Sequence, residues 1–202
     1  PSGPIKPTPL IGVLGLIDKK PLVSQKILSG DNLVIIGDTK DELGGSEYFE
    51  YIHKFIGGNC PTVNFKESKK NMSSVLDSIK QQIPKSVHDC SKGGLAVAVA
   101  ELCMTNQIGC KVSLNKVPGE KLTDDRILFS ESHSRYLLTI NEKNIKKLEN
   151  ILKKNKVTFQ IIGKFGSKKI QFVHGTKSII DLDVDKAQKT WFNSLKNMVL
   201  HG

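Results

Sequence analysis

The feature that most constrains this chain is the alternation of two hydrophobic periods along its length. From Ser46 onward, Tyr48, Tyr51, Ile52, Phe55 and Ile56 fall at helical spacing and predict a helix. Met72, Val75, Leu76 and Ile79 repeat the pattern, with Pro84 beyond its end. Leu95, Ala96, Val99, Leu102 and Cys103 mark a third helix behind Gly93-Gly94. Ile145, Leu148, Ile151 and Leu152 give a short amphipathic helix, and Ala187, Trp191, Leu195 and Met198 a closing one. Between these lie short runs that read as strands: 10–18, 32–37, 111–114, 127–130, 135–140, 159–165, 168–173 and 178–182, with a short element of unassigned type at 86–89. The runs on either side of Gly166-Ser167 read as a hairpin, which argues against a purely parallel sheet. Strands and helices that interleave in this way predict an α/β (α+β) fold, a three-layer domain with a mixed β-sheet flanked by helices.

Composition narrows the class further. The chain has 202 residues, 38% of them hydrophobic and 25% charged, enough to bury a core and too apolar for disorder. Leu10 to Ile17, its longest apolar run, is broken by two glycines and falls short of the roughly 20 residues a membrane span requires, so no membrane partner is expected. The opening PSGPIKPTP has neither an initiator Met nor the features of a signal peptide, which suggests a fragment or a processed chain. Cys60, Cys90, Cys103 and Cys110 form no CxxC pair and read as reduced thiols of a cytoplasmic protein. The net charge is +10, and residues 102–202 hold 18 Lys and Arg against 9 Asp and Glu, a surplus of +9. A Lys-rich stretch from 141 to 177 raises the question of nucleic acid. Only two arginines occur in the chain, so a solvated face is the preferred reading and no nucleic acid is expected.

Three segments depart from the core-building pattern. Glu42-Leu43-Gly44-Gly45-Ser46-Glu47 stands directly before a helix, where paired glycines let backbone N–H groups approach an anion, or where Ser46 simply caps. No GxxxxGK[ST] loop occurs. His88-Asp89-Cys90-Ser91-Lys92-Gly93-Gly94 delivers a carboxylate, a hydroxyl and two glycines to the mouth of the next helix. Asp89 is a candidate Mg²⁺ ligand and Ser91 a candidate phosphate contact; the competing reading is an Asp cap on a tight turn. Phe129-Ser130-Glu131-Ser132-His133-Ser134-Arg135 is unusually polar for a segment between two strands. Glu131 there is a candidate for orienting a ligand hydroxyl or metal-bound water, and His133 for a general base, although no nucleophile is legible beside it.

Taken in order, KPTPLIGVLGLID (6–18), ELGGSEY (42–48), HDCSKGGLAVAVAEL (88–102) and LFSESHSRYLLT (128–139) resemble the C-terminal region of the phosphoribosylformylglycinamidine synthase family, synthetase type, within the aminoimidazole ribonucleotide synthetase superfamily. The resemblance runs nearly end to end and is weakest in the Lys-rich stretch. It implies an ATP-dependent ligase of purine biosynthesis that converts formylglycinamide ribonucleotide to the amidine with glutamine-derived ammonia. The partners implied are the rest of the synthetase chain, a glutaminase subunit and a small accessory subunit; the cofactors are Mg²⁺ and ATP or ADP.

The same resemblance implies a boundary. Residues 1–18 match only the closing strand of a preceding N-type domain, and 19–202 a C-type α/β domain. The catalytic histidine and most ATP ligands of the family belong to N-type domains, so no catalytic residue is expected here. Asp89 matches a magnesium ligand and Ser91 a nucleotide contact; Gly44, Gly45, Ser46, Gly93, Gly94, Glu131 and Ser132 match ligand-facing loops. Another member of the superfamily (selenophosphate synthetase or thiamine-phosphate kinase type) and a non-catalytic nucleotide-binding or scaffolding module are the alternatives. Residues 9–17, apolar on both faces, are expected either to pair with a second copy or to fold back on the sheet.

Overall fold

The structure, a computed structural model, describes residues 10–16, 23 and 26–201. Its elements are β1 (Asn32–Ile36), α1 (Glu47–Tyr51), α2 (Phe65–Lys80), β2 (Ser86–Asp89), α3 (Gly94–Asn106), β3 (Gly109–Ser113), α4 (Asp124–Phe129), β4 (Tyr136–Ile140), α5 (Ile145–Lys154), β5 (Phe159–Ser167), β6 (Lys169–His174), β7 (Lys177–Asp183) and α6 (Val184–His201). The strands form one sheet in the order β2-β4-β1-β5-β3-β6-β7. Every neighbouring pair is antiparallel except β3 beside β6, so the sheet is mixed, as expected. No helix among the described residues is long and apolar enough to cross a membrane.

The arrangement contains two split β-α-β units. β4 lies between β1 and β2, and β1 lies between β4 and β5. The crossover helices α2 and α5 cover one face of these strands. β1 shows why its sequence is apolar throughout: successive side chains point to opposite faces, and both faces are buried. Val34 and Ile36 join Val75, Leu138, Ile140, Leu148 and Leu152 under α2 and α5. Leu33 and Ile35 enter the other core with Leu95, Val99, Leu102 and Phe172. That second core is built around α3, whose buried residues encircle it; a helix apolar on all sides belongs in an interior.

Five expectations are corrected. The helix expected over 48–56 stops at Tyr51, with Ile52 as its cap and Lys54 at φ 53°; Tyr51, Ile52, Phe55 and Ile56 are exposed. The chain turns there because Phe55 N–H bonds to Phe49 O at 3.0 Å and Gly45 N–H to Gly57 O at 2.9 Å. The strand expected at 127–130 is helix α4, whose first turn carries Asp124 and Asp125, favourable at a helix N-terminus. β5 and β6 make no hairpin, because β3 lies between them. Gly109 admits that insertion: a Cβ there would collide with the Lys169 backbone. The hairpin of this region is β6–β7, turning at Gly175.

The fourth correction concerns α2, which buries Asn71, Ser74, Val75 and Ser78 and leaves Met72 and Leu76 exposed. Its inner polar groups are all bonded. Asn71 Nδ2 donates to Ser134 O at 3.1 Å, Asn155 Nδ2 to Ser74 Oγ at 2.9 Å, and Ser78 Oγ to Val75 O at 2.7 Å. Fifth, residues 10–16 form no strand and are exposed, so they do not fold back on the sheet; Pro9, Ile17 and Asp18 lie outside the described residues. The side chains of Leu195 and Met198 also lie outside them, and Trp191 is exposed.

One buried cation fixes the loop that enters β4. Arg135 is 1% exposed. Its Nε donates to Ser132 O and its Nη1 to Thr39 Oγ1, both at 3.1 Å, and its Nη2 donates to Ser130 O. Burial lowers its pKa, opposed by the charges of Glu42 and Glu131. Replacing Arg135 with Met leaves two carbonyls without donors and the nearby carboxylates without a counter-charge. The loss expected is about 3–5 kcal/mol, read as a lower denaturant midpoint at unchanged slope.

Three of the cysteines, Cys90, Cys103 and Cys110, are buried, and Cys60 is exposed. Burial pushes the Cys90 thiol up to about 11, against a smaller lowering by Arg135, and the Cys103 thiol up to about 12. Both are neutral at pH 8, and the nucleophile in thiol chemistry is the thiolate. Ellman's reagent at pH 8 is expected to titrate one thiol rapidly in the native chain and four in denaturant. Rapid reaction of Cys90 in the native state would contradict its burial.

Candidate functional site

The three polar segments singled out in the sequence leave the sheet at the same end. The last residue of β1, Ile36, and the last of β2, Asp89, both sit opposite Tyr136, the first of β4. The loops after β1 and β2 and the loop before β4 therefore converge. Their link is Glu131. Its Oε1 accepts the N–H of Gly93 at 2.9 Å, at the start of α3, and the N–H of Glu47 at 3.1 Å, at the start of α1. A carboxylate at helix N-termini satisfies otherwise unpaired donors and opposes the positive end of the backbone dipoles. Lys92 Nζ closes the group with a 2.8 Å bond to Glu47 Oε1.

The neighbouring residues hold this arrangement. The buried Ser46 donates to Leu43 O at 2.6 Å and accepts Phe49 N–H at 3.3 Å, which makes it the cap of α1. Ser132 is also buried, and its Oγ accepts Lys40 N–H at 3.0 Å. Gly44 permits close approach of the Asn59 backbone, and Gly45 adopts φ +69°. Gly94 has φ +63°, and a Cβ there would lie 2.5 Å from Ser130 O, so α3 begins directly against the loop that carries Glu131. Cys90 N–H bonds to Arg135 O at 3.0 Å.

What faces the open space is a smaller set. A cleft of about 350 Å³ is lined by Asp89, Ser91, Lys92, Glu131, His133 and Tyr136, among others. Asp89, Ser91, Lys92 and His133 are exposed. Burial and then the charge of Asp89 push the Tyr136 phenol up, which keeps it a neutral donor at the cleft wall. No group of three or more His, Cys, Asp or Glu able to hold a metal occurs among the described residues. Asp89 offers one carboxylate and Ser91 a hydroxyl. That donor set fits Mg²⁺ brought in on phosphates, which keeps most of its waters, and does not form an all-protein cage.

The nine residues expected to contact a ligand or metal, and the candidate base His133, thus lie on the three converging segments, with Asp89 closing β2 and Gly94 opening α3. Asp89, Ser91 and Glu131 line the cleft, and Ser46 and Ser132 have their hydroxyls engaged in holding the loops. Two residues were not singled out. Arg135 is one of two arginines in a chain whose other cations are lysines, a signal of a fixed fork geometry that was available. Glu42 accepts Thr62 N–H at 3.1 Å through Oε1, while its buried Oε2 has no partner. It opens the ELGGSE segment, but nothing in that motif signals that one of its carboxylate oxygens is buried.

Comparison with known proteins shows the family and the fold. The profile of the family described as AIR synthase related protein, C-terminal domain, matches residues 29–175. Phosphoribosylformylglycinamidine synthase subunit PurL of Methanocaldococcus jannaschii is 37% identical over 200 residues, covering 97% of this chain and 27% of its own length. The chain thus spans about a quarter of that relative. The T. maritima PurL solved with FGAR superposes with TM-score 0.74 at 17% identity, covering 82% of this chain and 29% of that one. The same protein solved with ATP gives 0.68 at 18% identity, over 83% and 27%. The chain belongs to the family of AIR synthase related proteins, of which residues 29–175 carry the C-terminal domain.

Proposed function

We propose that this chain supplies the closing C-type domain of a phosphoribosylformylglycinamidine synthase. That enzyme uses ATP to activate formylglycinamide ribonucleotide and displaces phosphate with glutamine-derived ammonia. The observation that carries the reading is the convergence of the three loops on a cleft at one end of the sheet. Its relatives named PurL support it: one has been solved with ATP and with FGAR, and the curated relative is named as a subunit. The partners on this reading are the remainder of the synthetase chain, a glutaminase subunit and a small accessory subunit in the cytoplasm. Residues 1–18 would be the last strand of a preceding N-type domain, and the exposed apolar stretch 10–16 is then the surface that domain, or a second copy, covers.

Within the cleft, Asp89 would hold Mg²⁺, which neutralises phosphate charge when bound, and Ser91 would contact the nucleotide. Lys92 lies beside them and would favour an anion by its charge. Gly44, Gly45, Ser46, Gly93, Gly94, Glu131 and Ser132 shape the ligand-facing loops.

In the full-length synthetase, Asp89→Asn is expected to weaken Mg-ADP binding ten- to a hundredfold, about 1.5–3 kcal/mol, with the fold intact. Calorimetry returning an unchanged affinity would remove Asp89 from the nucleotide site; a cap is not the alternative, since the cap position of α3 is Gly93, with no side-chain cap.

The isolated 202-residue chain is expected to release no phosphate with formylglycinamide ribonucleotide, ATP and ammonia. Phosphoryl transfer depends on positioning and charge stabilisation, and a single domain provides only part of either. Substrate-dependent phosphate release by the isolated chain would overturn the assignment of catalysis to the rest of the enzyme.

A further inference from the structure

The sheet is not covered evenly. On the face packed by α2 and α5, the apolar core involves β1, β4 and β5. Beyond β5 the same face continues over β3 and β6, whose other face is buried through Cys110, Val112, Ile170 and Phe172. The open face of β3 carries Lys111. Its cross-strand partner on β5 is Lys164, and its partner on β6 is Gln171. Paired residues on adjacent strands project to the same side, and like charges directly opposite each other are destabilising. Lys116 joins them around a concavity of about 330 Å³ whose floor includes Ile161, Gly163 and Val173.

The charge balance of the adjoining strands shows that this pairing is not the rule here. Lys169 on β6 has its carboxylate, bonded to Asp181 of β7 at 2.8 Å, and Gln171 donates to the same Asp181 at 3.1 Å. Glu142, at the other margin, accepts a 2.7 Å bond from Asn32. Lys111, Lys116 and Lys164 make no ion pair among the described residues. Three cations around an apolar floor, on an uncovered sheet, have the anatomy of an interface: an apolar centre with a charged rim.

We propose that the open face of β3, β5 and β6 is a docking surface for an acidic protein segment, whose carboxylates separate and neutralise Lys111, Lys116 and Lys164. Charge selects the occupant. A second copy of a chain with net charge +10 would bring further cations. A nucleic acid would find neither arginine nor an aromatic side chain among the residues lining the concavity. A carboxylate-bearing segment finds point charges at the rim and aliphatic contact at the floor.

The test uses the full chain and a fluorescein-labelled deca-glutamate peptide, followed by anisotropy at low ionic strength. The Lys111→Gln/Lys164→Gln double variant is expected to weaken binding about three- to tenfold, as two exposed ion pairs allow. The control double Lys146→Gln/Lys147→Gln, on the outer side of α5, removes the same net charge and is expected to leave the affinity within twofold. Equal losses in both doubles would show attraction to net charge alone, and no loss in either would leave the face without this role; both overturn the proposal. A ten-residue oligothymidylate that binds more tightly than the peptide and is lost with the first double would assign the face to nucleic acid instead. Circular dichroism of both doubles is expected to match the parent, since these lysines are exposed.

Discussion

The buried guanidinium of Arg135 is the constraint on which the functional end of this fold depends. It reaches Ser130 O, Ser132 O and Thr39 Oγ1, so it fixes the loop before β4 against the loop after β1. Glu131 lies between two of the carbonyls that Arg135 holds. Its carboxylate can therefore meet the starts of α1 and α3 together. Loss of the guanidinium would free the segment that positions Glu131. A lysine in its place would supply the charge without the planar set of donors that reaches three acceptors at once.

The glycines serve the same junction. Gly94 begins α3 with a backbone that other residues rarely adopt, and its missing side chain leaves room for Ser130 O. A helix that starts this close to another loop has unpaired N–H groups facing that loop, and a carboxylate is the side chain that satisfies them. The approach of α3, the position of Glu131 and the burial of Arg135 are thus parts of a single packing solution.

How much of this was legible in the sequence depended on how local the determining interaction was. β1 and α3 were plain because burial on both faces, or all round, writes itself as uninterrupted apolar residues. The run Ile127–Ser130 misled because four apolar-to-small residues suit a short strand. The signal that decided it lay upstream, in Thr123, Asp124 and Asp125. The false hairpin at Gly166-Ser167 followed from reading adjacency in sequence as adjacency in the sheet. The insertion of β3 is a long-range event whose local trace is Gly109. α2 hid its inner face because that face is made of Asn71, Ser74 and Ser78: Asn71 and Ser74 find partners on other elements, and Ser78 bonds back to Val75 O of its own helix. In the site, the segments could be picked out by their polarity, but the division of labour within them could not. That Ser46 and Ser132 hold loops while Asp89 and Ser91 line the cleft follows from burial and partners set by the assembled fold.

That division has a consequence for recognition. A helix start preceded by glycines ordinarily offers its backbone N–H groups to an anion. Here Glu131 already accepts the Gly93 N–H, and the Gly94 N–H is bonded to Ser91 O at 3.0 Å. On the function proposed above, an anion entering the cleft would therefore meet side chains first: Asp89 through a metal ion, Ser91 by its hydroxyl and Lys92 by its charge. Recognition by exposed side chains is weaker per contact than a backbone nest, because each must be ordered on binding. It is also separable, since an exposed side chain can be replaced without disturbing the packing beneath it. The buried Arg135 and Gly94, with the half-buried Glu131, set where the cleft is, and on the proposed function the exposed layer of Asp89, Ser91 and Lys92 would set what it binds.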